Sequence, residues 1–171
     1  MRGFFLGFVT AFLLLAVGGY GYLKLGLAEV RGDEPASELE TYLTRTAVHA
    51  AVRRNAPQLR SPVPPTDVNL ITGGKMYLEQ CAGCHGNPGK QRKYPDGLNP
   101  PAPQLSTIGT EYTESQVFWV AKHGIRRTGM FPNDFRDSDE ELWALAAYVK
   151  RMNRLPQHVK DELEKTANIG Q

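Results

Sequence analysis

Hydrophobic positions in this chain follow three patterns. From Phe4 to Leu23 they form one uncharged block, mostly Phe, Leu, Val, Ala and Gly. Its ~20 residues make about 30 Å of helix, enough to cross the hydrocarbon core of a bilayer. From Leu39 the pattern turns helical and one-sided. Leu39, Tyr42, Leu43, Thr46, Ala47 and Ala50 share a face, while Glu38, Arg45, Arg53 and Arg54 lie mostly off it. Ser37-Glu38-Leu39-Glu40 is a capping box that opens this helix, and Pro57 stops it. Such a helix is unstable alone, so its apolar face is expected on the following domain, a partner or a lipid surface.

After the extended, semi-rigid spacer Ser61-Pro62-Val63-Pro64-Pro65 the pattern becomes that of a small helical domain. Asn69 is placed to cap a helix running to about Cys81, with Gly73, Tyr77 and Cys81 along one face. Thr113-Glu114-Ser115-Gln116 opens another helix, which Gly124 ends. Ser138-Asp139-Glu140-Glu141 opens a third, with Leu142, Leu145, Ala146 and Val149 as a stripe and Trp143 and Tyr148 beside it. No segment alternates like a strand, so the fold class is all-α. The expected segments are a transmembrane anchor at 1–27 (or a signal), an amphipathic spacer helix and Pro-rich linker at 28–68, a globular domain at 69–155, and a tail or short surface helix at 156–171. The tail, His158 included, carries no assignable chemistry.

Length suggests one globular domain with appendages. A formal charge of +2 and the lack of a basic stripe with interleaved aromatics argue against nucleic acid as a partner. A removed signal peptide, cleaved near Gly26-Leu27-Ala28, competes with the anchor. Its apolar centre should be only about 7–15 residues, which favours the anchor. Charge does not orient the span, because Arg2 lies on one side and Lys24 and Arg31 on the other.

The candidate chemistry is Cys81-Ala82-Gly83-Cys84-His85, with Gly86 directly after it. Two cysteines three apart with histidine next point to covalent attachment of a c-type haem. Both thiols form thioethers to one porphyrin, and the adjacent imidazole is held under the iron as an axial ligand. Structural zinc wants four ligands, and only Cys81, Cys84, His85 and a distant His123 are on offer. A thioredoxin-like redox pair would need a βαβ setting that is not found. Both cysteines are used by haem, so no disulfides are expected. Of four methionines, Met1 is excluded by position, Met76 lies on the helix just before the motif, and Met152 suits core filling. Met130, in a glycine-flanked loop, could bring a thioether to iron. His123 is the competing ligand. His49 is expected to be a surface or packing histidine.

Residues 69–153 resemble a class I cytochrome c domain. Gly73 and Tyr77 match the first helix of that family, and Leu145 and Tyr148 its last. Pro103-Gln104-Leu105 is similar to the proline and leucine beside the proximal histidine, which implies a haem-pocket role for Pro103. Gly124-Ile125-Arg126-Arg127-Thr128-Gly129-Met130 is similar to the methionine-ligand loop, although Phe131 stands where many members have proline. The resemblance implies three to five helices around one covalently bound haem c, with His85 and Met130 on the iron. It also implies attachment outside the bacterial inner membrane, so that the domain is periplasmic and the span single-pass.

The expected activity is electron transfer rather than enzymatic turnover, between a redox donor and an acceptor. Lys90, Arg92 and Lys93 form either a basic patch steering an acidic partner or a plain solvated loop. Two other readings stand beside the lone carrier. One is a haem sensor whose methionine dissociates. The other is a cytochrome subunit of a larger membrane-bound dehydrogenase or oxidase complex.

Overall fold

The computed structural model describes residues 2–87, 98 and 100–169. Among them every regular element is a helix. They divide into two units, Met1–Gly32 and Asp33–Gln171. Lys90, Arg92 and Lys93 lie outside the described residues.

In the first unit, α1 (Arg2–Lys24) is unbroken, and its most apolar window has a mean hydropathy of 1.9 with 0% buried. A helix this long and apolar fits a membrane anchor. It ends in a Schellman motif. Gly26, at φ 68°, donates to Leu23 O (3.1 Å) and Leu27 donates to Tyr22 O (3.2 Å), which satisfies carbonyls the helix leaves open.

The second unit is built on one helix crossing, between α3 (Asp67–Gln80) and α7 (Asp139–Arg151). A Cβ on Gly73 would strike the carbonyl of Ala144 and come within 2.8 Å of the Leu145 nitrogen. The two backbones therefore touch, and only glycine permits it. One turn on, the rings of Tyr77 and Tyr148 sit 5.5 Å apart, and Tyr77 is fully buried.

The sequence suggests a single stripe on α7, but all of Leu142 to Val149 is buried. Neighbours on more than one side are the reason. Opposite α3 lies α6 (Glu114–His123), where Phe118 stacks on Trp143 with centroids 4.2 Å apart and planes 6° apart. Both helices start with the complete capping boxes expected at Thr113 and Ser138. Arg151 pairs with Glu114 at 2.5 Å, and the Lys150 ammonium donates to the carbonyls of Thr110 and Tyr112.

Three local expectations change. The cap of α3 is Thr66 rather than Asn69. Thr66 has the extended backbone a cap needs and accepts from Asn69 N, and the Asn69 side chain donates to Pro64 O at 2.8 Å. In α2 (Glu38–Asn55) the larger apolar side chains are not the ones that dock. Leu39, Tyr42 and Leu43 are 66%, 67% and 55% exposed, while Val52 and Ala56 at the far end are buried. Beside them His49 packs edge-on against Tyr112, its Nδ1 3.0 Å from the hydroxyl, as a packing histidine would. Finally, residues after Pro156 are more than a surface helix. α8 (Gln157–Ile169) puts Val159 and Leu163 into the core. Leu163 lies against Gly74, where a Cβ would come within 2.6 Å of it, and His158 Nε2 meets Asp67 at 2.7 Å. Small residues at two adjacent positions of α3 thus admit a helix on each side.

Two outcomes follow from this packing. Gly73→Ala forces backbone apart from backbone and should cost about 3 kcal/mol, seen as a lower guanidinium midpoint at unchanged slope. The second concerns base. Burial raises Tyr148 from 10.0 to about 12 and pushes Tyr77 up as well. The unfolded chain releases these protons first, so stability should hold below pH 10 and fall as pH rises from there towards about 12. Each tyrosine contributes a slope of about 1.4 kcal/mol per pH unit. Tyr148→Phe should remove one such contribution in unfolding curves taken across that window.

Candidate functional site

The end of α3 delivers the motif. Cys81 closes that helix by donating its N–H to Tyr77 O (2.9 Å), and its own carbonyl accepts from the amides of Cys84 and His85. This makes α4 (Ala82–His85) a single turn with the two cysteines and the histidine held together. The turn cannot continue, because Gly86 takes φ 82°, ψ 151°, a region open only to glycine. Its carbonyl accepts a 2.6 Å bond from the buried Tyr77 hydroxyl. A Cβ there would meet Ser106 Oγ at 2.6 Å and Gln104 Oε1 at 2.8 Å.

Pro103 and Gln104, just before the short helix α5 (Leu105–Ile108), complete the setting. Pro103 O lies 2.9 Å from His85 Nδ1. A carbonyl only accepts, so Nδ1 carries the hydrogen and Nε2 is left with a bare lone pair, the form that binds a metal. Burial lowers the His85 pKa, with the Pro103 bond opposing, so the ring is kept neutral. The Gln104 amide donates to Cys84 O (3.1 Å) and Ala102 O (3.2 Å), pinning this segment to the motif. Burial pushes the Cys81 thiol up to about 12; Arg136 pulls it back, and Asp137 and Cys84 add to the rise. Both cysteines are free thiols, partly buried at one end of the core.

Met130 lies on a loop closed on itself. Its carbonyl accepts from Ile125 N (2.8 Å), and its amide donates to Thr128 Oγ1 (3.0 Å). Gly124, at φ 64°, lies so near that a Cβ would come 2.5 Å from Met130 O and 2.7 Å from Pro132 N. Arg127 also has positive φ, 62°. Met130 is half-buried, whereas Met76 and Met152 fill the core. His123 is exposed and lies against Trp119 at 5.1 Å. No group of three or more His, Cys, Asp or Glu able to hold a metal occurs among the described residues, so the zinc set with His123 is not assembled.

The donor set fits a covalently bound haem: two free thiols on one helical turn, and an imidazole whose Nδ1 is tied to a carbonyl so that Nε2 carries the lone pair. Residues 69–149 form a monohaem class I cytochrome c domain, and its cofactor is a covalently bound haem c. The family model that matches them is described as cytochrome c oxidase, cbb3-type, subunit III. The match leaves α1, α2 and α8 outside it. No curated protein and no solved structure matches the chain. As a c-type cytochrome domain, it transfers electrons.

Sequence reasoning missed Gln104, Ser106 and the Tyr77–Gly86 bond. The available signal was Gly86 itself, since glycine is the default residue where the backbone must take a positive φ. Gly86→Ala should lose about 1–3 kcal/mol from backbone strain alone, and more from the two side-chain contacts. The check is the unfolding midpoint together with the fraction of protein that retains covalent haem, both expected to drop.

Proposed function

We propose that this chain is a membrane-anchored one-electron carrier with His85 and Met130 as the axial ligands of its iron. The observation that carries the reading is the 2.9 Å bond from His85 Nδ1 to Pro103 O, which orients the imidazole and leaves Nε2 for metal. Haem c, when bound, supplies the ferric–ferrous couple; the chain supplies ligands, burial and a docking edge. Met130, tethered through its own amide and carbonyl, offers a thioether that favours reduced iron and raises the potential. With both axial positions filled by side chains, oxygen and peroxide have no place to bind. The α1 helix holds the domain at the outer face of a bacterial inner membrane, with the amino terminus in the cytoplasm. Donor and acceptor are redox proteins, and the cysteines, both spent on haem, form no disulfide.

The ligand assignment is tested by spectra and potentials of Met130→Ala and Met130→His. The weak sulfur-to-iron band at the red end of the ferric spectrum should be present in the parent and absent in both variants. The histidine variant should have a lower potential, by a sizeable part of the ~0.8 V range that axial ligands span. A band that survives Met130→Ala would exclude Met130. Poor carbon monoxide binding by the reduced parent separates a carrier from a haem sensor.

A second reading makes the chain a subunit of a membrane-bound oxidase or dehydrogenase complex. Two things favour it: the oxidase-subunit description of the matching family, and the uncovered Leu39, Tyr42 and Leu43 on α2. Extraction in mild detergent discriminates, since a subunit should migrate with other chains and a lone carrier by itself.

A further inference from the structure

Four polar side chains tie the end of the haem-attachment helix to the segment after Met130. Arg136 Nη2 donates to Gln80 Oε1 at 2.6 Å and to Asn133 Oδ1 at 2.8 Å. Gln80 is the last residue of α3, directly before Cys81. Its amide in turn donates to Asp137 Oδ1 (3.2 Å), whose other oxygen lies 3.4 Å from Arg136 Nε.

Asn133 is the buried polar residue of this region, 5% exposed. Its amide donates to Ala121 O at 2.9 Å, and its backbone N–H donates to Lys122 O, so it is fixed to the last turn of α6. Arg136 N and Asp137 N both donate back to Asn133 O. The Arg136 guanidinium also lies over the ring of Phe131, 5.9 Å from its centroid, and Phe131 is the residue after Met130.

Met130 thus has two anchors. On its amino side Ile125 and Thr128 hold the backbone, and on its carboxy side the chain is held three residues later at Asn133. Among the described residues, the second anchor is the one that reaches the helix leading into Cys81, through Arg136 and Gln80. We propose that Arg136 is a positioning residue that, through Gln80 and Asn133, clamps the methionine loop to the haem-attachment helix and keeps the sulfur on the iron. The inference rests on Met130 being the ligand. A planar guanidinium suits the task, because its fixed fork spans two acceptors on different segments, which a single ammonium does poorly.

The experiment uses the full haem-loaded chain in detergent and reads the rate at which the reduced protein binds carbon monoxide. That rate is limited by departure of the sulfur. Arg136→Leu and Gln80→Leu should each speed binding about tenfold, the factor for losing one typical hydrogen bond, and weaken the sulfur-to-iron band. The double variant should be no faster than either alone by more than about twofold. Arg136→Lys should fall between. Unchanged rates and bands in both single variants, with a lower unfolding midpoint, would overturn the clamp and leave these residues a role in stability alone. Met130→Ala is the control. If it binds no faster than the parent, the ligand assignment fails, and the clamp with it; if it binds fast while the Arg136 and Gln80 variants do not, only the clamp fails.

Discussion

The carbonyl of Ala144 occupies the space that any side chain at position 73 would need. That one backbone-to-backbone approach sets the geometry of the whole domain. It fixes the line of α3, and so where Cys81 emerges at its end. It fixes α7 as well, which positions α6 through the Phe118–Trp143 stack. From the end of α6 hang Gly124, Asn133 and the Met130 loop between them. The Cys81–His85 motif and the Met130 loop, far apart in sequence, are therefore registered by a contact between two backbones.

From Cys84 to Gly86, order comes from side chains and a carbonyl bonded to backbone or imidazole. Tyr77 holds the Gly86 carbonyl, Gln104 holds the Cys84 carbonyl, and Pro103 presents a carbonyl to His85. These bonds lie at the edge of the hydrophobic cluster to which α3, α6, α7 and α8 contribute. The Tyr77 bond is buried and the Gln104 bond half-buried, so both are screened less than an exposed bond would be. The imidazole stays neutral for the same reason, since burial there disfavours its charged form.

Much of this was legible in the chain itself. The motif, the two complete capping boxes and the Gly73–Tyr77 face are local, short-range patterns, and local patterns survive folding. The docking face of α2 was not legible, because Val52 and Ala56 are smaller than the Leu39, Tyr42 and Leu43 that periodicity favours. What decided it was the shape of the neighbouring surface. The burial of α7 on more than one side, and of α8 at all, likewise depends on partners distant in sequence. Gln104 and Arg136 were invisible for a further reason. Each acts through geometry with residues 20 and 56 positions away, and neither type announces a role by itself.

The helix α8 lies beyond the stretch that matches the family model, yet Leu163 fills the notch at Gly74. Without it, the outer side of α3 would present a greasy slot next to a glycine, shaped to accept an aliphatic side chain from any passing helix. An uncovered apolar slot of that kind is a contact point for other apolar surfaces. Because α8 belongs to the same chain, Leu163 meets the slot at the high effective concentration of a tethered segment. Helix α8 in this way keeps that side of α3 covered from within the same chain.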